Sequence, residues 1–385
     1  MKPVLLYFGA DASISGLTKS VGFYRRNTHI LKALGASDEI QLVVNVQFVI
    51  RQQWWTATKS QDIQHGILDV YVSGLLPSML PFAGFLNKIL MRRHIEKKIQ
   101  AAGESTKNIL CWCYWPSGHT VWQRFWHRST MVFDADHNIV ENPHDEKETQ
   151  LSKAHQLEQV LDEATLFISS SRTMNEWAAA RSKCPVLLAM NGIDTKRFEG
   201  IAKKNSPVDL TVGYVGQLSK WMDLNLLESL IKSHPHIQFK IAGPNYQTDA
   251  SERLDAFQNV VLQGKIKPDE LPAFLSSIDV GLSMYRDLPA LDVNSMKIYE
   301  YLAAHLPVIA LKNHDHLNLD FDYLLNLAED QKSLFDALAS IEKGTTDPNW
   351  HRKVDEFLAR SSWENRVGEV IDTLKALNKW TPLVS

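Results

Sequence analysis

Short apolar runs alternate with amphipathic segments along the first half of the chain. Apolar runs of strand length predict buried strands, and apolar residues at helical spacing predict helices. The predicted strands are Val4–Phe8, Ile40–Val49, Asn108–Trp115, Thr130–Phe133, Thr165–Ser169 and Pro185–Met190. The predicted helices are Phe23–Leu34, Gln150–Glu163 and Met174–Arg181. Strands and helices therefore alternate, as they do in α/β proteins.

The second half repeats this alternation more clearly. Its predicted strands are Leu210–Gly216, Ile237–Gly243, Asn259–Gly264, Ile278–Tyr285 and Pro307–Leu311, and its predicted helices are Leu224–Ser233, Pro268–Ser277 and one that starts near Ser295. Parallel sheets covered by helices on both faces follow from this order. The polar stretch Phe198–Leu210 has the composition of a linker. We therefore expect two doubly wound α/β domains, residues 1–198 and 199–362, and a C-terminal helix at 363–385 that packs back on the first domain.

Composition excludes several classes of protein. The 385 residues carry a formal net charge of −3, with a pI near 6.5, so no strong positive field is available to hold a nucleic acid. Three cysteines without a C-x-x-C pair argue against a disulfide framework and a zinc site. The chain enters its first strand without the pattern of a signal peptide. These features predict a cytoplasmic protein.

An uncharged segment from Val70 to Asn87 is followed at once by cations at Arg92, Arg93, Lys97 and Lys98. Pro77, Pro81 and Gly84 interrupt the segment, which argues against a membrane-spanning helix. Apolar surface beside cations suits the anionic inner face of a membrane. A buried loop followed by a solvated helix accounts for the pattern equally well. Both interpretations stay open at this stage.

The stretch LDVNSMKIYEYLAAHLPVIALK carries the clearest chemical signal. Lys297 and Glu300 lie on one face near the start of an otherwise apolar helix, which Asn294 or Ser295 can cap. A lysine beside the free N–H groups of a helix N-terminus suits a pyrophosphate, and the carboxylate one turn later can accept hydrogen bonds from ribose hydroxyls. The alternative is an ordinary i, i+3 ion pair on the surface.

Three loops should meet this helix at the carboxyl edge of the second sheet. They are GQLSKWMD, in which Gly216 permits close backbone approach, then GKIKPDELP, and finally the loop after Tyr285 that leads to Lys297. Ligands of doubly wound sheets bind beyond this edge. With two such domains, we expect the active site in the cleft between them.

The segments NGIDTKRF, DLTVGYVGQLSKWMD, NVVLQGKIKPDELP and NSMKIYEYLAAHLPVIA together resemble glycosyltransferases of the GT-B fold. The closest likeness is to family 4-like enzymes of bacterial polysaccharide synthesis, and it extends from about Asn191 to Leu311. Only VFDADHNIVEN is similar to the family in the first domain. The resemblance implies two Rossmann-like domains that face each other across a cleft. It also implies a nucleotide-sugar donor, with neither a cofactor nor a metal.

The resemblance assigns roles residue by residue. It implies that Ile266 binds the nucleobase through its backbone, that Glu300 holds the ribose and that Lys297 binds phosphate. The whole implied donor set comprises Gly216, Lys220, Ile266, Tyr285, Asp292, Asn294, Ser295, Met296, Lys297 and Glu300. The sequence departs from the family in two ways: the Arg/Lys pair of the family is reduced to Gln217 and Lys220, and its first signature glutamate is replaced by Asp292. These departures leave open the donor sugar and the stereochemistry of transfer.

The first domain supplies the candidate catalytic residues. Asp134, Asp136 and His137 follow a predicted strand, where a carboxylate can act as the general base of an inverting transfer. We prefer Asp136 as this base and expect Asp134 to orient the loop. The alternative is a loop that satisfies its own turn hydrogen bonds. Residues predicted to bind the acceptor are Gly16, Arg25, His119 and His137.

Three functions remain in competition. The first is transfer of a sugar from a nucleoside-diphosphate (UDP or GDP) donor to a glycan or lipid-linked acceptor. The second is a nucleotide-sugar epimerase or dehydrogenase, which would need a G-x-G-x-x-G motif that YFGADASISG and GYVGQL do not provide. The third is an inactive nucleotide-sugar-binding protein on the same fold. The departures at Gln217 and Asp292 keep this third possibility open.

Overall fold

A computed structural model describes most of the chain. The described residues are 2–8, 25–48, 65–72, 83–114, 119, 122–123, 126, 129–135, 146–201, 210–246, 248–285, 294–312, 322–344 and 347–380, with only the backbone described at 83–88 and 322. Among them, no helix is long and apolar enough to cross a membrane.

Two compact units make up the chain. The first contains Met1–Met190 and Arg366–Ser385, and the second contains Asn191–Asn365. The boundary between the two units therefore falls before the NGIDTKRF segment, whereas the sequence predicted a boundary after Phe198. The C-terminal residues belong to the first unit: the Oγ1 of Thr130 donates a hydrogen bond to the carbonyl of Lys379 (2.6 Å).

A parallel sheet forms the centre of the first unit. Within the described residues its strands are β1 (Val4–Phe8), β2 (Leu42–Phe48), β3 (Ile67–Val72), β4 (Ile109–Cys113), β5 (Thr130–Ala135), β6 (Leu166–Ser169) and β7 (Val186–Leu188). Their order across the sheet is β3-β2-β1-β4-β5-β6-β7, and every pair is parallel. This is the order of a doubly wound fold, with the reversal between β1 and β4.

Helices cover this sheet. They are α1 (Arg26–Ala36), α2 (Ala83–Ala101), α3 (Lys147–Glu163) and α4 (Arg172–Ala179). One face of the sheet carries an apolar core that includes Leu6, Val44, Phe133 and Phe167. The strand β3 was not predicted from the sequence. Its residues Val70 and Val72 are buried in the same core, so the start of the uncharged 70–87 segment is a core strand.

The second unit has its own parallel sheet. The described strands are β8 (Thr211–Val215), β9 (Gln238–Ala242), β10 (Val260–Gly264), β11 (Val280–Ser283), β12 (Val308–Leu311) and β13 (Asn326–Ala328), in the order β10-β9-β8-β11-β12-β13. The described helices are α5 (Leu224–Ser233), α6 (Ala250–Asp255), α7 (Leu271–Ser276), α8 (Met296–Ala303), α9 (Gln331–Glu342), α10 (Trp350–Arg360) and α11 (Trp363–Ala376), of which α11 continues into the first unit. The prediction of α/β architecture is therefore confirmed.

A glycine in β11 lets helix α8 pack closely against the second sheet. A Cβ placed on Gly281 of β11 would lie 2.5 Å from the ring of Tyr301, so the absence of a side chain lets α8 pack against the strand. The Tyr301 hydroxyl accepts a hydrogen bond from the Val215 N–H (2.9 Å) and donates one to the Leu282 carbonyl (3.1 Å). Helix α8 is thereby fixed to both strands at the centre of the sheet.

Candidate functional site

The carboxyl edge of the second sheet has a switch point between β8 and β11. These strands are neighbours, while β9 and β12, which follow them in sequence, lie on opposite sides. β8 ends at Val215 and is followed by Gly216, and β11 ends at Ser283, shortly before Tyr285. Helix α8 leads from this edge towards β12 and begins at Met296. Ligands of doubly wound sheets bind at such a point.

Lys297 is the cation at this switch point. Its side chain is buried, with 7% of its surface exposed. The Nζ atom lies 4.5 Å from the ring centroid of Tyr214 and 4.0 Å from that of Tyr285, and it donates a hydrogen bond to the Tyr214 hydroxyl (3.3 Å). A cation that close to an aromatic face is attracted by the negative centre of the ring. Tyr214 of β8 and Tyr285, just after β11, thus hold the ammonium group.

The environment of Lys297 keeps it charged. Burial by itself lowers the pKa of the ammonium, but Tyr214 and Tyr285 raise it, and the balance leaves the pKa above its ordinary value. Burial likewise raises the pKa of the Tyr214 hydroxyl, which is therefore neutral. The ammonium lies so close to the β8 loop that a Cβ on Gly216 would stand 2.8 Å from Nζ. Gly216 also has a φ of 147°, which side chains rarely adopt.

Glu300 lies one turn after Lys297 on α8. Burial raises the pKa of its carboxyl to about 7, while the positive charges of Arg197 and Lys297 lower it in part. Arg197 belongs to the NGIDTKRF segment and donates a hydrogen bond to the carbonyl of Pro268 (2.8 Å). The carboxyl group can therefore be ionised near neutral pH, and it then accepts hydrogen bonds from a sugar hydroxyl.

The start of α8 is held differently from the expectation. Ser295 is the N-cap residue, but it makes no side-chain capping bond. Asn294 instead accepts hydrogen bonds at its Oδ1 from the Asn191 N–H (3.0 Å) and the Tyr299 hydroxyl (3.0 Å), and its carbonyl accepts one from Asn191 Nδ2 (2.5 Å). Asn294 therefore ties the helix to the NGIDTKRF segment, and neither side chain caps the first turn.

Other predicted donor residues lie near the same edge with fewer contacts. Ile266 is buried just after β10, and Met296 is half-buried at the start of α8. Lys220 is exposed and lines a separate cavity of about 370 Å³ together with Thr248 and Arg253. The structure therefore places Gly216, Tyr214 and Tyr285 around Lys297. Among the described residues, Lys220 makes no contact with this group.

A larger cavity lies at the other end of α8. It measures about 680 Å³ and is lined by residues that include Ala304, His305, His351 and Asp355. None of the residues predicted from the sequence lines it. Within the described parts of the chain, no cluster of His, Cys, Asp and Glu side chains is placed to hold a metal ion.

In the first unit, Asp134 is part of a buried ion pair. Its Oδ1 accepts a hydrogen bond from Nε of Arg26 (3.0 Å), and the two side chains are 0% and 3% exposed. Arg26 also donates to the carbonyl of Met190 (3.2 Å). This arrangement favours a structural role for Asp134. Arg25, the arginine predicted to bind an acceptor, is exposed at the start of α1.

His119 contacts a residue near the amino edge of the first sheet, the edge opposite the carboxyl ends of the strands. Its Nε2 lies 2.9 Å from a carboxylate oxygen of Glu163, and its ring stacks on Trp122 (5.8 Å between centroids). Glu163 is the last residue of α3, which runs from the carboxyl end of β5 to the amino end of β6. Burial lowers the pKa of His119, and Glu163 opposes this effect. These contacts favour packing over acceptor binding.

Four predicted site residues lie outside the described residues. They are Gly16, Asp136, His137 and Asp292. Two other residues of the site were missed from the sequence. Tyr214 is an inward-facing residue of β8 two positions before Gly216, and Arg197 lies in the NGIDTKRF segment; both were in quoted motifs, but only the tertiary contacts distinguish them from core and surface residues.

Comparison with known proteins places this geometry in context. Residues 223–372 match a family model described as "Glycosyl transferase-like". The chain is also similar to TuaH of Bacillus subtilis (strain 168), a candidate teichuronic acid biosynthesis glycosyltransferase, with 24% identity over 184 residues. That alignment covers 44% of this chain and 46% of TuaH, less than half of the relative's length.

Similarity to solved structures extends over nearly the whole chain. Sucrose-phosphate synthase of Thermosynechococcus elongatus matches with a TM-score of 0.66 and 15% identity, covering 98% of this chain and 99% of that one. HepE of Anabaena, solved in complex with UDP, matches with a TM-score of 0.66 and 15% identity, covering 98% and 100%. These likenesses show that the chain has the GT-B fold, and they confirm the predicted resemblance to glycosyltransferases of that fold.

Proposed function

We propose that this chain, which has the GT-B fold, is a glycosyltransferase that moves a sugar from a nucleoside-diphosphate sugar to a glycan acceptor. The observation that carries the proposal is the pair of Lys297 and Glu300 at the switch point between β8 and β11. A buried ammonium and a half-buried carboxyl one helical turn apart match the two ends of the donor, a diphosphate and a ribose. The UDP bound to the structural neighbour HepE supports this choice of ligand.

Lys297 acts on the diphosphate in this proposal. Breaking the bond between the sugar and the diphosphate leaves additional negative charge on the phosphate oxygens. A fixed cation beside those oxygens stabilises the charge that develops in the transition state. Because Lys297 is already held in place, little reorganisation is needed when the bond breaks. The α8 N-terminus adds partial positive charge to the same region.

Asp136 is our proposed base for an inverting transfer. It follows directly after β5 in the sequence. There it would take the proton from the acceptor hydroxyl as that oxygen attacks the anomeric carbon of the sugar, and the nucleoside diphosphate leaves with the electrons of the broken bond. Asp292 and the diphosphate itself become more important if the transfer is retaining. The first alternative function, an epimerase or dehydrogenase, receives no support from the family match.

The acceptor is proposed as a glycan, free or lipid-linked, of a surface polysaccharide. The name of TuaH supports this substrate class. A lipid-linked acceptor would bring the enzyme to the inner face of the cytoplasmic membrane, and we propose peripheral attachment through α2. Leu90, Arg93 and Lys97 are exposed and share one face of that helix.

Turnover with a panel of nucleotide sugars tests the function. UDP- and GDP-sugars are incubated with the protein and a lipid extract as acceptor source, and the released nucleotide is measured. We expect the wild type to release nucleotide from the sugars of one nucleotide class. If the transfer is inverting, Asp136→Asn should lower turnover by roughly 10²–10⁴-fold and leave donor binding intact. Lys297→Ala should weaken UDP binding at least tenfold through loss of a charge-assisted contact. Lys343→Ala, at an exposed lysine just after α9, should have no effect.

Two outcomes would contradict the proposal in different ways. Binding of nucleotide sugars without turnover across the panel identifies an inactive binding protein, the remaining alternative. Thermal stabilisation by NAD, with none by UDP or GDP, would point to the epimerase or dehydrogenase class. The melting temperature of each variant is measured alongside, so that loss of folding is not mistaken for loss of activity.

A further inference from the structure

Aromatic rings are the nearest described partners of the Lys297 ammonium. Within the described residues, Lys297 forms no ion pair within 4 Å, and its ammonium contacts the rings of Tyr214 and Tyr285 instead. Aromatic faces attract a cation but carry no formal charge. Because no described carboxylate pairs directly with Lys297, its positive charge is available to a ligand.

We propose that Tyr214 is a positioning residue that, together with Tyr285, forms an aromatic cradle holding the Lys297 ammonium for the diphosphate of the donor. The inference rests on the proposed function and deepens it, because it names the residue that prepares the phosphate site. Tyr214 acts through Lys297 and has no assigned contact with the donor. Its side chain is 1% exposed, so the Tyr214 ring is held in the apolar core of the second unit.

The cradle explains how one lysine can serve where the resemblance implies a basic pair. Gln217 stands where the resemblance implies a cation, so this region has less positive charge than the resemblance leads us to expect. A mobile lysine would lose side-chain entropy when it binds the phosphate. In this chain the Lys297 side chain is already buried and hydrogen-bonded to Tyr214, so much of that entropy is lost on folding rather than on binding.

The cradle also fits an ammonium better than a guanidinium. The Nζ atom lies between two rings and against the backbone of Gly216, where a Cβ would stand only 2.8 Å away. A guanidinium is planar and larger, and it has no room in that direction. Lys297→Arg therefore keeps the charge but is expected to displace it from its position.

A purely structural role for Tyr214 is the main competing explanation. Its hydroxyl donates a hydrogen bond to the carbonyl of Gln217 (3.1 Å), so it also holds the β8 loop. Loss of that bond would change folding stability and affect all ligands of the site alike. A cradle acting on charge instead changes the binding of the diphosphate and leaves the nucleoside unaffected. The experiment must separate these two effects.

The test compares UDP with uridine, and GDP with guanosine, by titration calorimetry on the full chain. For Tyr214→Leu we expect the ratio of diphosphate to nucleoside affinity to fall about tenfold, because the ring is lost. Tyr214→Phe keeps the ring and should lower the ratio only about threefold, because the hydrogen bond from Lys297 to the hydroxyl is lost. Tyr323→Phe is the matched control, since Tyr323 is half exposed and the Nζ of Lys353 lies 5.9 Å from its ring.

The pH dependence provides a second readout that a structural role would not change. Among the described residues, the titratable groups that face Lys297 are Tyr214 and Tyr285, with Glu300 one turn away on α8 itself. Without the Tyr214 ring, burial lowers the lysine pKa with less opposition. The UDP affinity of Tyr214→Leu should then decline as the pH rises from about 7 to about 8.5, while that of the wild type holds in this range.

Each outcome supports or overturns a defined statement. Wild-type protein that binds neither diphosphate better than its nucleoside contradicts the proposed function and, with it, the cradle. A wild type that prefers the diphosphate, combined with equal losses for both ligands in Tyr214→Leu, overturns the cradle alone. If Tyr214→Leu does not fold, Tyr214→Phe and Lys297→Arg decide: an unchanged ratio in both variants overturns the inference.

Discussion

At the scale of single residues, the ionisation of Glu300 is the property most open to measurement. Burial raises the pKa of this carboxyl to about 7, so the group loses its proton within the physiological range. Only the ionised form can accept hydrogen bonds at both oxygens from the ribose of a donor. The carboxylate form is the minor one below this pKa and the major one above it. Donor binding should therefore strengthen as the pH rises through about 7.

The prediction compares wild type with Glu300→Gln. UDP affinity of the wild type should rise by roughly tenfold between about pH 6 and pH 8, because the fraction of ionised carboxyl rises by that order. Glu300→Gln should bind more weakly at pH 8 and lack this increment. Ionisation of UDP itself affects both proteins equally, so calorimetry of the two side by side isolates the carboxyl. The same rise in both proteins would show that Glu300 does not bind as a carboxylate.

Asp134 shows where residue types alone gave an incomplete account. From the sequence it was paired with Asp136 as a polar residue after a strand. In the structure β5 extends through Ala135, so Asp134 lies inside the strand and is buried against Arg26. A carboxylate in that position needs a charged partner, and the ion pair supplies it. The sequence contains both residues, but only the packing of α1 on the sheet brings them together.

At the scale of elements, the connection between Asn191 and Asn294 determines where α8 begins. The Asn294 side chain accepts hydrogen bonds from the Asn191 N–H and the Tyr299 hydroxyl, and all three residues are buried. Removing this side chain leaves the Asn191 N–H and the Tyr299 hydroxyl, both buried, without that acceptor. An unsatisfied buried donor costs about 1–3 kcal/mol.

Asn294→Ala should therefore loosen the start of α8 while leaving the rest of the second unit intact. We expect amide hydrogen exchange in a peptide covering residues 294–303 to accelerate roughly tenfold or more, corresponding to at least about 1.4 kcal/mol of local opening free energy. UDP affinity should fall with it, since Lys297 lies in this turn. Asn365→Ala, at an exposed asparagine of the same unit, is the control. Equal acceleration in both variants would contradict the assigned role of Asn294.

Most predicted elements were found at nearly the expected positions. Leu224–Ser233 was predicted with its observed bounds, because its apolar spacing is strong and Asp223 caps it by accepting a hydrogen bond from the Leu226 N–H. The predicted helix at Pro268–Ser277 divides into a 3₁₀ turn, Pro268–Glu270, and α7. The strand β3 was missed because its apolar residues merge with the uncharged segment that follows.

At the scale of the whole molecule, the exposed face of α2 is the surface that we propose for membrane attachment. Arg93 and Lys97 are exposed beside Leu90, whereas Arg92 forms an ion pair with Glu96 (2.7 Å). Each cation near an anionic surface contributes about 1 kcal/mol. The protein should therefore sediment in part with vesicles that contain anionic lipid, at low salt.

Replacing Arg92, Arg93, Lys97 and Lys98 by Gln should release the protein into the supernatant. Replacing only Arg93 and Lys97 should account for most of that effect, because Arg92 is already paired. Lys332→Gln with Lys343→Gln removes the same charge from α9 and the residue that follows it in the second unit, and should leave sedimentation unchanged. Absence of the wild type from the vesicle pellet at low salt would rule out this attachment and leave α2 as a solvated helix.

The sequence by itself determined the alternation of strands and helices, the parallel sheets and the likeness to GT-B glycosyltransferases. Those properties depend on local periodicity and on motifs such as NSMKIYEYL, which are fully contained in short segments. Tertiary structure alone decided the partners of the charged residues. Lys297 meets Tyr214, which is far from it in sequence, and Asp134 meets Arg26, because neighbouring strands and helices place distant residues side by side. Whether a buried charge is paired, or is held ready for a ligand, depends on those contacts, and no local pattern encodes them.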